Sequence, residues 1–175
     1  MKNRYEIRGN VTAIFLERKD GSIFETLIDT EDLGIVQKHR WFAYKSTTTQ
    51  KFYAKAQDYI DQKVVDIRLH RLLTNAPKGM FVDHINHDPL DNRRSNLRVV
   101  SNMENMQNRS GSQRNSKSGV RGVSWSKKQN RWKAAIGVNG KSMYLGAFTT
   151  IEEAEKVVVN ARKIYMPFSY MDQGP

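Results

Sequence analysis

The sequence predicts an α+β protein built from small antiparallel sheets and short helices. Three observations predict it. β-branched and aromatic residues come in short runs bounded by turn residues. The pairs Asp20-Gly21 and Asn139-Gly140 suit tight hairpin turns. Ser101-Asn-Met-Glu104 and Thr150-Ile-Glu-Glu153 each have the spacing of a capping box, in which the first hydroxyl and the fourth residue's carboxylate satisfy free N–H groups at a helix start. With 175 residues, 38% of them hydrophobic, the chain holds one modest domain or two to three very small ones, and is too short for a large multi-layer enzyme.

Residues 1–68 read as a strand-rich segment. Val11–Leu16 and Ser22–Ile28 flank Asp20-Gly21, and Asp29 or Thr30 is placed to cap a short helix with Leu33 and Val36 on one face. Trp41–Tyr44, Phe52–Ala54 and Val64–Ile67 are further strands, whose aromatic residues form a small core. A short helix, Leu69–Thr74, leads through the turn Asn75–Gly79 into the apolar strand that starts at Met80 and ends in polar residues at Asp88. A loop rich in Asp, Asn and Arg, the strand Leu97–Val100 and a helix carrying Asn105 follow. Residues 110–119 read as a basic Ser/Gly/Asn linker. Residues 120–168 read as three strands (Val120–Ser126, Arg131–Val138, Lys141–Phe148) on one helix bearing Ala154, Val157, Val158, Ala161 and Ile164.

Charge narrows the function classes. The net charge is +11, and it is uneven: residues 1–66 hold 11 basic and 10 acidic side chains, residues 67–175 hold 18 and 8. From Arg109 to Gly146 there are nine Lys/Arg and no Asp or Glu, a run that calls for a polyanion. The absence of cysteine excludes a disulfide scaffold, a Cys-ligated zinc site and a thiol nucleophile. No apolar run approaches the roughly 20 residues of a membrane span, and the first residues lack a signal-peptide core. The expectation is a cytoplasmic protein with nucleic acid, and no membrane, as partner.

One constellation carries chemistry. Asp83-His84 stands at a strand end, Asn96 twelve residues beyond His84, and Asn105 nine further on a helix. An imidazole near neutral pKa can take a proton from water. A carboxylate and an amide oxygen are hard ligands suited to Mg²⁺, which keeps waters for substrate phosphate. That set fits phosphodiester hydrolysis; it fits equally a polar turn in which Asp83 and Asn96 cap backbone groups. Of the other histidines, His70 reads as structural, His87 as a loop residue that touches DNA or nothing, and His39 as surface. Arg93, Arg94 and Arg98 read as phosphate contacts, or as partners of Asp88 or Asp91.

The residues HRLL and VDHINHDPLDNRRSNLRVVSNMENMQNR, from His70 to Arg109, resemble the HNH endonucleases of the ββα-metal class, most closely those of phage homing and free-standing endonucleases; KHRWFAYK resembles the segment preceding that core. The resemblance places the nuclease core at 69–109. It implies His84 as general base, Asp83 and Asn105 as metal ligands, and Asn96 as the residue that ties the loop and helps orient the imidazole. Glu104 and Asn108 are the alternatives to Asn105 if the helix is shifted in phase. Mg²⁺, or Mn²⁺ in its place, is the implied cofactor, and no zinc is expected.

VRGVSW, RWKAAI, MYLGAF and TTIEEAEKVVVNARKIY resemble the ethylene-response-factor type of DNA-binding domain, whose three-stranded sheet lies in the major groove with a helix behind. The resemblance implies Ser124, Ser126, Lys128, Arg131, Lys133, Ser142 and Tyr144 facing DNA, with Arg121 at the strand start. Val123, Trp125, Trp132, Met143 and Leu145 then face the helix. Serine or glycine stands at Ser124, Ser126, Gly137 and Ser142, where plant members place base-reading arginines, so phosphate anchoring is implied rather than the plant site preference. Arg109, Arg114 and Lys117 of the connecting stretch add to the basic surface. The whole reads as a phage-encoded DNA endonuclease, homing-endonuclease-like, acting on double-stranded DNA in a bacterial host. The chain is expected as a monomer or weak homodimer; with one catalytic centre a monomer nicks one strand, and a double-strand cut needs dimerisation or sequential nicking. The alternative is a DNA-binding regulator retaining a degenerate HNH scaffold. An RNA-binding protein would suit the linker and leave Asp83-His84 unexplained.

Overall fold

The computed structural model describes residues 2–109, 111–113 and 115–170. The chain forms two compact units, one ending at Ser101 and the other starting at Asn102. Both strands and helices are present, in small antiparallel sheets, as an α+β chain requires.

In the first unit, β1 (Tyr5–Arg8), β2 (Val11–Glu17) and β3 (Ile23–Asp29) form one antiparallel sheet in that order. β1 has no signature in the sequence because all four of its residues are exposed. The β2–β3 connection is longer than a two-residue turn: Arg18 N–H donates to Ser22 O at 2.9 Å, and Gly21 takes the left-handed conformation (φ 81°). α1 (Leu33–Val36) follows a single 3₁₀ turn, and neither Asp29 nor Thr30 caps it. Both side chains are used elsewhere: Asp29 accepts from Arg94 N–H (2.7 Å), and Thr30 Oγ1 donates to Gly9 O (2.9 Å).

β4 (Phe42–Lys45), β5 (Phe52–Ile60) and β6 (Lys63–Arg68) form the second sheet. β5 runs well past Ala54, turning at Asp61-Gln62, both at positive φ without a glycine to announce it. α2 (Leu69–Thr74) ends at Asn75 in the left-handed conformation, and β7 (Phe81–His84) pairs with β8 (Leu97–Val100). Ile14, Leu16, Ile28, Val36, Trp41 and Leu69 are fully buried between these elements. Each contributes roughly 1.5–3 kcal/mol against leaving it in water.

The second unit starts with α3 (Asn102–Gln107) and continues with β9 (Val123–Ser126), β10 (Arg131–Val138) and β11 (Lys141–Phe148), in sheet order β11-β10-β9. β9 begins three residues later than expected because the chain turns at Gly122 (φ 88°). A Cβ there would meet Ala135 O at 2.7 Å. Asn139-Gly140 makes the expected turn with both φ positive. α4 (Ile151–Tyr165) opens with a complete capping box at Thr150 and Glu153, and buries Ala154, Val158 and Ala161 against the sheet.

Tyr44, expected in the core of the first unit, is 38% exposed, and two expected core residues of the second unit are not core either. Ile164 is 71% exposed, because Met166, past the helix end, closes that side of the core. Trp125 is 38% exposed on the edge strand β9, with its ring edge to face against Trp132 at a centroid separation of 5.0 Å. The residues past Pro167 also find partners, Phe168 N–H on Gln107 Oε1 and Tyr170 N–H on Asn108 Oδ1.

Candidate active site

α2 and β7 bring three polar residues into the first unit's interior. His70, Asp83 and His84 are all buried. The imidazoles of His70 and His84 meet edge to face at 5.2 Å, with Tyr53 flanking both at about 6 Å. Burial pushes the His84 pKa below that of an ordinary histidine, partly offset by its hydrogen bond to Asn92 and by nearby carboxylates. His70 is pushed down to about 3, by burial first and then by the neighbouring His84. Both rings are therefore neutral near pH 7.

The tautomer of His84 follows from its neighbours. Asn92, fully buried, donates through Nδ2 to Thr26 Oγ1 (2.8 Å) and to Pro89 O (3.2 Å). A prolyl carbonyl only accepts, so the amide cannot be turned over, and it is Asn92 Oδ1 that lies 3.2 Å from His84 Nε2. An acceptor there places the proton on Nε2 and leaves the basic lone pair on Nδ1.

Loop 85–96 is held by a dense polar network. Asn96 ties it together: Oδ1 accepts from Asn86 N–H (2.9 Å) and Nδ2 donates to Asp91 O (2.8 Å). The imidazole of His84 has Asn92 Oδ1 as a hydrogen-bond partner on its Nε2 side. The loop is also stapled to β3, with Leu27 N–H on Leu90 O and Asn92 N–H on Leu27 O, both 2.8 Å. His87 sits in this loop at positive φ (65°), with a buried Nε2 that has no hydrogen-bond partner among the described residues. His39 is half-buried rather than surface, 2.9 Å from Asp58 and edge-on to Trp41.

The arginines expected on phosphate already have carboxylate partners. Arg93 forks onto Asp91 (2.8 and 2.7 Å) and Arg94 onto buried Asp32 (2.9 and 2.7 Å). Arg98 directs Nε and Nη2 to Asp83 Oδ2 (2.9 and 2.7 Å), its cross-strand partner in the β7–β8 register.

In the second unit, Asn105 lies half-buried on α3. Asn108, one of its alternatives, is buried with its side-chain oxygen on Tyr170 N–H, and Glu104 is half-buried. The register of the sheet sets Arg131 beside Ser126, Lys133 beside Ser124, and Ala135 beside Tyr144, so these share one face. Lys133 Nζ stands 5.4 Å over the Tyr144 ring, and Arg131 donates to Thr149 Oγ1. Lys117, Lys128 and Arg109 are exposed. Arg121 departs from the expected DNA face: its guanidinium donates to the carbonyls of Gln107 (2.8 Å), Arg109 (3.1 Å) and Met106 (3.2 Å), closing the end of α3. Arg114 lies outside the described residues.

Asn92 is the site residue that the sequence reading missed. The only available signal was its place in the dense Asp-Asn-Arg-Arg loop, since a buried asparagine and an exposed one look alike in sequence.

Comparison with known proteins adds to this geometry. A family model described as HNH endonuclease matches residues 75–107. Protein 3.8 of Escherichia phage T7 is 30% identical over 93 residues, covering 53% of this chain and 76% of the phage protein. An uncharacterized HNH endonuclease of Acanthamoeba polyphaga mimivirus is 31% identical over 129 residues, covering 70% of this chain and 60% of the viral protein. No solved structure matches. No helix among the described residues is long and apolar enough to cross a membrane.

Proposed function

Because the chain belongs to the HNH endonuclease family, we propose that it is a divalent-metal-dependent endonuclease that nicks double-stranded DNA, with a C-terminal module that anchors it. The observation that carries this reading is the buried, neutral His84 beside Asp83, with its proton held on Nε2 by Asn92.

His84 Nδ1 is the general base that takes a proton from the attacking water. Asn92 fixes the ring, and its oxygen goes on accepting from Nε2–H once the imidazolium forms. The carboxylate of Asp83 favours that imidazolium. Asn96 and the loop network hold Asp83 and His84 on a rigid hairpin end, so little reorganisation is needed at the moment of reaction. The chemistry suits a hard cation: the Asp83 carboxylate at the strand end is an oxygen donor of the kind such an ion takes. Asp83 would hold Mg²⁺ or Mn²⁺, with Asn105 as the second donor, and the bound ion would stabilise charge on the phosphate and leaving oxygen. Arg98, whose guanidinium is bound to Asp83, holds that carboxylate in place beside the base.

In this reading residues 69–109 are the nuclease core, and 110–119 link it to an ethylene-response-factor-like module at 120–168. Arg131, Lys133, Ser124, Ser126 and Tyr144 of its open sheet face, with Lys128 in the β9–β10 turn, contact DNA, supported by the lack of any acidic residue from Arg109 to Gly146. Both named relatives are viral, which supports a phage-encoded protein working in the cytoplasm of its host.

The test is plasmid relaxation. Supercoiled DNA with Mg²⁺ should be converted to open circle, EDTA should stop it, and His84→Ala should lower the rate by about 10²–10⁴ while still binding DNA. Metal-independent cutting, or an unimpaired His84→Ala protein, would sink the assignment.

A further inference from the structure

The N-terminal sheets carry a feature that the proposed chemistry does not use. Asn3 pins three segments together: its Nδ2 donates to Phe15 O on β2 (3.0 Å) and to Trp41 O just before β4 (2.8 Å), and its Oδ1 accepts from Trp41 N–H (2.8 Å). Between the segments so joined lies a groove of about 760 Å³, floored by Phe15, Trp41 and Phe42. Its rim carries five cations, Lys2, Arg4, Arg18, Lys19 and Arg40, against two carboxylates, Glu17 and Asp20.

The carboxylates answer only two of those cations. Arg18 pairs with Asp20 at 2.9 Å; Arg4 lies 3.9 Å from Glu17 and stacks over Phe15 at 4.1 Å. Lys2, Lys19 and Arg40 are exposed and have no carboxylate partner among the described residues. Residues 1–66 are nearly neutral in sum, so this local excess is invisible to a charge count along the chain. It arises because the fold gathers cations from positions 2, 4, 18, 19 and 40 around one concavity, while Asp58, Asp61 and Asp66 lie on β5, β6 and their turn.

We infer that this groove is a second DNA-backbone site, in which Lys2, Lys19 and Arg40 take phosphates of the duplex. The argument is charge complementarity on a preformed concave surface: three uncompensated cations held around an aromatic floor attract a polyanion and cost little to desolvate against phosphate. The inference rests on the DNA-binding part of the proposed function and assigns the N-terminal unit a share in it. None of the groove residues belongs to loop 85–96 or to the C-terminal sheet face, so the contact is additional to both.

The experiment compares two triple variants of the full chain, each built on His84→Ala so that binding is read without cutting. One is Lys2→Gln/Lys19→Gln/Arg40→Gln, in the groove. The other is Lys45→Gln/Lys63→Gln/Lys78→Gln, three exposed lysines outside it that remove the same charge. Binding to a fluorescent duplex is measured from 50 to 300 mM salt, with melting temperatures as the check on folding. The groove variant should bind about tenfold or more weakly near 0.15 M salt, with the slope of log K against log salt reduced by roughly 2 to 3. The control should keep both affinity and slope within a small margin. Equal losses in the two variants, or none in either, would overturn the inference, as would failure of the His84→Ala protein to bind duplex at all. Tenfold stronger competition by polyglutamate than by duplex DNA at the groove would instead mark an acidic protein as its partner. Binding that follows the expected pattern in a wild-type protein that never cuts DNA would leave the groove standing and remove the nuclease assignment.

Discussion

The arginines of loop 85–96 and its flanking strand, and the basic residues of the C-terminal sheet, carry the same charge but differ in what answers it. Arg93, Arg94 and Arg98 each fork onto a carboxylate, and those of Asp32, Asp83 and Asp91 are buried. Among the described residues, Arg131 reaches a threonine hydroxyl and Lys133 the face of Tyr144, in a stretch without acidic residues. The first set is architecture, built to hold a loop in one shape. The second is a surface whose charge is left for a ligand. A cation's role therefore depends on whether the fold brings a carboxylate to it, and the variants below separate the two cases.

The largest effect should come from Asn92→Ala. The change removes the Asn92 hydrogen bonds to Pro89 O, Thr26 Oγ1 and His84 Nε2, and with the last of these an acceptor that holds the imidazole. Each buried group left unsatisfied costs about 1–3 kcal/mol, so a stability loss of roughly 2–4 kcal/mol is expected. Nicking assayed well below the lowered melting temperature should still be impaired, with kcat falling rather than KM rising. A variant that loses stability but keeps kcat would make Asn92 a loop brace only.

Arg94→Ala tests the architectural class directly. It strips the partner from Asp32, which is nearly fully buried, while the Arg94 backbone bond to Asp29 survives. Because the guanidinium side is half exposed, the cost should be about 2 kcal/mol, below that of a fully buried pair. Chemical denaturation would show it as a lower midpoint at unchanged slope. A neutral result would mean that water replaces the arginine at Asp32.

His70 predicts a pH dependence of somewhat smaller size. Folded, its pKa lies near 3; unfolded, it returns to about 6.5. Below about 6.5 the unfolded chain binds the proton and the folded one does not. The stability His70 contributes is therefore present above that pH and is lost as pH falls towards 3. The slope should approach 1.4 kcal/mol per pH unit for this one group, with His84 adding in the same direction. Denaturation at pH 7.5, 6.5 and 5.5 measures it, and a His70→Phe variant that folds should flatten the curve. A flat wild-type curve would mean that water reaches the ring.

Much of this was legible beforehand, for stated reasons. β8, β10, β11 and α2 fell within the residues expected, because glycine, asparagine or a capping pair marks their ends. The turn at Asp61-Gln62 has no such mark, so nothing in the sequence carries β5 past Ala54 to its end at Ile60. Strand alternation places Trp125 on the core side because it records which face a residue is on, not how deeply an edge strand is covered. Asp83, His84 and Asn96 stood out by residue type and spacing. Asn92 did not, because its importance comes from Thr26, 66 positions away, and from a prolyl carbonyl, and such a meeting exists only once the chain has folded.

Lys133→Ala gives the smallest change in stability and so isolates the ligand-facing class most cleanly. The side chain is exposed and its one described contact is with Tyr144, so the melting temperature should move by no more than an exposed substitution usually costs, about 0.5 kcal/mol. DNA binding should weaken by a similar factor on unrelated sequences, and the salt slope should fall by roughly 0.9, the signature of one lost phosphate contact. Fluorescence anisotropy on two duplexes of different sequence, each titrated across salt, reads both quantities. If the loss is confined to one sequence, Lys133 reads a base and the sheet contributes specificity. If stability falls instead of affinity, the contrast between the two sets of cations fails at the residue where it should be clearest.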